Sequence, residues 1–170
     1  MHPLIQLATE SINESFSGPP VPLEKYKRYV EKNGAFVTLK IQNHLRGCVG
    51  QIVSEIPLYQ LIYDMAKKAA FEDSRFPALS ESEFQNTEIN ISVLTEPKPV
   101  TDISQIQLGT HGIIFQYNNR SSIFLPEVAI EQGWTLTQTL EQLAIKAGVP
   151  ITTINKAMYS CFESRKIDVK

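Results

Sequence analysis

The chain has 170 residues, 42% of them hydrophobic and 20% charged, with a formal net charge of -2. That length suits one domain, or two packed lobes, with a real core. The slight acidity gives a polyanion no electrostatic footing, so nucleic acid is not an expected partner, and the apolar runs are too short to span a membrane.

The N-terminal stretch MHPLIQLATE has neither a basic region nor a long apolar run. It does not read as a signal peptide, which predicts a cytoplasmic location. Leu4, Leu7, Ile12 and Phe16 recur at helical intervals and predict a first helix with one buried face. SGPPVP ends it, because glycine and three prolines cannot continue a helix. LEKYKRYVEKNG predicts a short helix or turn closed by Gly34. AFVTLKI and LRGCVGQI predict two strands joined by a tight turn at QNH. PLYQLIYDMAKKAAF carries the clearest helical period, through Leu58, Leu61, Ile62, Met65, Ala69 and Ala70. EDSRFPAL predicts a loop, and Ser80 with Glu83 three residues on predicts a capping box. TEINISVL turns Ile89, Ile91 and Val93 inward as a strand, and the proline-rich TEPKPV ends it. HGIIFQY and RSSIFLP predict a hairpin across two asparagines. PEVAIEQGW predicts a short helix, TLTQTLEQLAIKAGVP a last helix stopped at Gly148, and MYSCFES a final strand. Hairpins separated by helices define an α+β class with antiparallel sheet and flanking helices.

The chemistry-bearing stretch is LRGCVG, Leu45 to Gly50. Alternation along a strand puts Arg46, Cys48 and Gly50 on one face. A guanidinium beside a thiol favours the thiolate, which makes Cys48 a candidate nucleophile and Arg46 its helper. Gly47 and Gly50 let a ligand or another backbone come close. The same residues also suit plain packing, since cysteine is among the most buried residue types. Register decides between the two. A hairpin loop of even length sets Cys48 beside Val37, Leu39 and Ile41, and an odd loop sets it beside Phe36, Thr38 and Lys40. The commoner two-residue loop turns Cys48 towards the core, and the motif reads as structural first.

Arg75 could present its fork to a carboxylate or phosphate, with Phe76 beside it, or pair locally with Asp73. His111 titrates near neutrality or serves only as a turn residue. Trp134 reads as an anchor in a core or between lobes. The two cysteines, Cys48 and Cys161, lie far apart without a CxxC, so neither a zinc site nor a disulfide is expected. No metal spacing, P-loop or dinucleotide glycine motif is present, and no cofactor is expected.

LRGCVG resembles the signature of the AMMECR family, the protein A component of the AmmeMemoRadiSam system. GAFVTLK, AAFEDSRFPAL, EINISVL, HGIIF and FLPEVAIEQGW through KAGVP resemble that family's segments in the same order. The resemblance spans Leu4 to Phe162 and implies a single domain over residues 4–165, with an α+β fold of two closely packed lobes. Three positions depart from the family pattern: Thr9 where an arginine is frequent, Ser122 where a glycine is, and Ala144 near a frequent cysteine. The family's gene context implies work beside a Memo-type protein and a radical-SAM protein. An older suggestion for the family, resting on the signature motif, is a role in transcription, repair or translation.

Three function classes follow. The first is a binding or accessory protein holding a small molecule, peptide or partner in a cleft near the motif, with Leu45, Gly47, Gly50, Arg75, Phe76 and His111 as binding residues. The second is an enzyme built on Cys48 and Arg46. The third, nucleic-acid association, is disfavoured by the net charge. The binding class is the expected one.

Overall fold

The computed structural model describes residues 1–168. The helices are α1 (Pro3–Glu14), α2 (Leu58–Phe71), α3 (Glu81–Phe84), α4 (Pro126–Gln132) and α5 (Leu136–Ala147). The strands are β1 (Asn33–Ile41), β2 (His44–Val53), β3 (Thr87–Leu94), β4 (Lys98–Val100), β5 (Gly112–Tyr117), β6 (Arg120–Phe124), β7 (Met158–Phe162) and β8 (Ser164–Ile167). They form two four-stranded sheets, ordered β2-β1-β3-β8 and β4-β7-β5-β6. The antiparallel α+β class holds, with each of the two hairpins in its own sheet. The chain divides into two compact units, residues 1–94 with residues 165–168, and Thr95–Ser164. Among the described residues no helix is long and apolar enough to cross a membrane.

In the first unit α2 packs on β1 and β2, and α1 packs on α2 and β3. Ala35, Val37 and Leu39 of β1 are fully buried, as are Leu58, Leu61, Ile62 and Ala66 of α2. The inward set expected of β3 is observed, with Ile89, Ile91 and Val93 all buried. Burying one such aliphatic side chain contributes about 1.5–3 kcal/mol, so this layer holds the unit together. In the second unit α5 lies on β5 and β6. Leu140, Leu143 and Ala144 supply its buried face, whereas Ile145 is exposed.

Two expectations change. Gly34 lies inside β1 and does not close a helix; a side chain there would run into the Ile52 carbonyl of β2. The short helix or turn expected before it is a 3-10 turn at Leu23–Tyr26. Within TEPKPV, Lys98–Val100 forms β4, which pairs with β7 alone at the margin of the second sheet. Proline is tolerated there because an outer strand leaves one side of its backbone unpaired.

Candidate functional site

The site begins at the β1–β2 turn. Gln42 and Asn43 both have positive φ, 48° and 65°, and Ile41 pairs with His44, so the loop has two residues as expected. Lys40 then pairs with Leu45, but Leu39 pairs with Gly47. Arg46 is the extra residue of a β-bulge, and beyond it Cys48 pairs with Thr38. The bulge shifts the register by one residue, which exchanges the faces. The core-facing placement expected for Cys48 is therefore corrected: its neighbour is Thr38, on the sheet face away from α2, and it is half-buried.

Gly47 takes the place against α2. A Cβ on it would collide with the Ala69 carbonyl oxygen of the helix. The alanines of α2, Ala66, Ala69 and Ala70, keep the helix low over the strand at this point. Gly50 is closed in a similar way by the Ala35 carbonyl and Phe36 of β1. Both glycines are thus explained by close packing of backbone.

Arg46 turns away from the thiol. Its Nε donates to Glu83 Oε2 at 2.9 Å, and its Nη2 donates to Glu83 Oε1 at 3.2 Å and to the Pro77 carbonyl at 2.8 Å. Nη1 is buried without a hydrogen-bond partner. Glu83 is held ready by the N-terminus of α3, where it completes the capping box with Ser80. The Arg46 guanidinium, followed by the Ser80 N–H, pulls the Glu83 carboxyl down to about 2. The Phe76 ring lies near two cations, with Arg46 Cζ at 5.7 Å and Arg75 Cζ at 5.5 Å from its centroid. Such stacking favours arginine over lysine at both positions.

Cys48 is gripped through its backbone. Its N–H donates to Asp73 Oδ2 at 2.9 Å, and its carbonyl accepts from Arg75 Nη2 at 3.3 Å. Arg75 in turn donates to both Asp73 oxygens, from Nε at 3.0 Å and Nη2 at 2.8 Å. Asp73 is nearly buried while Arg75 stays 56% exposed along its side chain. Those hydrogen bonds, Arg75 first, hold the Asp73 carboxyl well below the usual carboxylate range. The Arg75 guanidinium is raised chiefly by Asp73, with a further attraction from the charge of Cys48. The Cys48 Sγ lies 3.2 Å from the Thr38 hydroxyl. Neither Cys48 nor Cys161 is in a disulfide.

The structure thus brings Leu45, Arg46, Gly47, Cys48, Gly50, Arg75 and Phe76 into one region of the first unit. Leu45 is exposed there. His111 belongs to the second unit, where its Nδ1 accepts from the Gln107 N–H and its backbone N–H donates to the Gln107 carbonyl, closing a loop. Cys161 is buried in that unit and its thiol is pushed up to about 11 by desolvation. Trp134 packs on Phe124, 5.5 Å between ring centroids. Asp73, Glu83, Pro77 and Thr38 complete the motif's surroundings and were not among the expected site residues. The spacing of Ser80 and Glu83 announces the cap, but nothing in it announces that the same carboxylate binds Arg46. Chemically, the region offers a half-exposed thiol next to a hydroxyl, an exposed guanidinium and a ring edge. A threonine hydroxyl is no base at neutral pH, so the contact to Thr38 does not activate the thiol.

An α+β protein of two antiparallel sheets, carrying an arginine–cysteine motif on a bulged strand, is what these features define. The AMMECR1 family model matches residues 5–167, and the chain belongs to that family. It is 36% identical over 157 residues to Protein NEQ441 of Nanoarchaeum equitans, covering 87% of each chain. It is 31% identical over 155 residues to Protein MJ0810 of Methanocaldococcus jannaschii, covering 86% of this chain and 77% of that one. The crystal structure of Uncharacterized Protein PH0010 from Pyrococcus horikoshii superposes with a TM-score of 0.86 at 29% identity, over 96% of this chain and 88% of that one.

Proposed function

We propose that this AMMECR1-family chain is a binding or accessory protein that acts with a Memo-type protein and a radical-SAM protein, through the surface around Leu45, Arg75 and Phe76. One observation carries the reading: Arg46, the expected helper of the thiol, is taken up by the fold, as are the space at Gly47 and the backbone of Cys48. Arg46 is spent on Glu83 and Pro77, Gly47 on Ala69, and the Cys48 backbone on Asp73 and Arg75. What remains outward is an exposed Leu45, the exposed side of the Arg75 fork and part of the Phe76 ring. An aromatic and an arginine among polar neighbours is the composition that recurs at binding hot spots. The test is calorimetric titration of the purified chain with each of the two proteins. The reading expects micromolar or tighter binding that Leu45→Asp and Arg75→Ala weaken and Cys48→Ala does not. Binding unchanged by both surface variants would remove the support for this face.

The thiol-enzyme reading keeps one supporting observation, the attraction between the Arg75 cation and Cys48. It moves the helper role from Arg46 to Arg75.

A further inference from the structure

A second site lies on the other side of α1 from the core. A cavity of about 260 Å³ is lined by Glu10 and Asn13 of α1, by Pro19, Pro20, Val21 and Pro22, and by Lys25. That volume is just under the range of ~300–1,000 Å³ that accommodates drug-sized ligands, so the cavity suits a smaller molecule.

Its wall is rigid. Three of four consecutive residues are proline, whose rings fix φ in advance and leave little freedom to lose on binding. The strap is tied down at both ends. The Gly18 N–H donates to the Asn13 carbonyl at 3.0 Å, the Val21 N–H to Glu14 Oε1 at 3.2 Å, and the Lys25 N–H to the Pro22 carbonyl at 3.0 Å. A Cβ on Gly18 would crowd Asn13, so this residue lets the strap fold back onto the helix.

The charges are divided. Glu10 holds Tyr26 OH at 2.9 Å with Oε2 and Gln6 Nε2 at 2.9 Å with Oε1, which fixes the carboxylate and leaves each oxygen a further acceptor direction. Lys25 is exposed and lines the same cavity. Among the described residues Lys27 pairs with Glu24 and Lys67 with Glu14, whereas Glu10 and Lys25 do not pair with each other. Two opposite charges on one proline-walled cavity, unneutralised by one another, match a ligand that carries both signs. We propose that this cavity binds a free α-amino acid with a compact apolar side chain. Glu10 receives its ammonium, Lys25 and the Asn13 amide receive its carboxylate, and the proline rings cover the side chain.

The experiment is an NMR titration of the 15N-labelled chain with L-valine, N-acetyl-L-valine and L-valine amide. Valine is expected to shift the Asn13, Val21 and Lys25 amides saturably. Each capped form is expected to bind about tenfold more weakly or worse, because each loses one charge-assisted contact. Lys25→Met is expected to erase the difference between valine and its amide, and Glu10→Gln the difference between valine and its N-acetyl form. Should Glu10→Gln disturb the fold through Tyr26, the exposed Lys25 variant decides alone. No saturable shift at these amides, or equal binding of all three probes, overturns the proposal.

Discussion

Arg46 is bound to Glu83 and not to Cys48: two nitrogens of the guanidinium meet two carboxylate oxygens across 37 residues of sequence, at 2.9 and 3.2 Å. The pair ties the bulge of β2 to the start of α3, and through the Pro77 carbonyl it also fixes the loop between α2 and α3. The arginine of the motif is thus a structural tie between segments that local sequence does not hold together.

This tie sets an acid limb. In the folded chain Glu83 titrates near 2, below its ordinary 4.5, and Asp73 is also depressed. The unfolded chain therefore binds more protons as pH falls, and stability rises with pH through that window. The contribution is fully present above about pH 4.5 and is lost as pH drops towards 2. Urea unfolding at several pH values between 3 and 6 should show a shallower slope for Arg46→Met than for the parent. At pH 7 the same variant should lose on the order of 1.5–3 kcal/mol, the usual range for hydrogen bonds to a charged group. An unchanged slope would mean that Arg46 is not what depresses Glu83.

Gly47 should be the least replaceable member of the motif. Even a methyl group there meets backbone, the Ala69 carbonyl, which cannot rotate aside as a side chain can. Overpacking costs about 1–3 kcal/mol where neighbours can adjust, and more where they cannot. Gly47→Ala is expected to lose about 3 kcal/mol or more in chemical denaturation, and Gly47→Val to leave no cooperative transition.

The two thiols should behave differently. Cys48 is only partly buried, while Cys161 is buried and its thiol is raised to about 11. A thiol reagent at pH 7 should modify Cys48 alone in the folded chain, as read by peptide mass, with Cys161 reacting only after unfolding. Arg75→Met should slow that reaction, because it removes the cation that attracts the thiolate. Cys48→Ser should cost less than about 1 kcal/mol, since a hydroxyl can keep the contact to Thr38. Rapid modification of Cys161 in the native chain would contradict its burial.

Nucleic acid should bind weakly near physiological salt. With a net charge of -2 the chain lacks the lysine and arginine excess that dominates such affinity. A submicromolar complex with DNA or RNA that weakens steeply with added salt would overturn this expectation.

Much of the fold is legible in the sequence because the long elements carry strong periods. The α1 and α2 helices, the β3 alternation and both hairpin turns follow from apolar spacing and from residues that accept positive φ. The local pair of Asp73 and Arg75 is also legible, being two residues apart in a loop. The register beyond the first turn is not. The two-residue loop is read correctly, yet one bulged residue reverses the face inferred from it for Cys48. Nothing in LRG marks the bulge, because its cause is distant: Glu83 and Pro77 draw Arg46 out of the ladder's alternation. Lys98–Val100 and Ser164–Ile167 are similarly silent as strands, since short outer strands take their conformation from the partner they join.

The grip of Asp73 and Arg75 on Cys48 has a consequence for solubility. β2 is the outermost strand of its sheet, and the N–H and carbonyl of Cys48 are a donor and an acceptor that such a strand would otherwise show to any passing chain. Here one aspartate and one arginine imitate the missing neighbour strand, the first as its acceptor and the second as its donor. An outer strand stopped in this way is a poor template for intermolecular pairing. The loop after α2 therefore protects the chain from its own outer strand, and losing Asp73 should show first as aggregation during folding at high concentration, before any loss of binding.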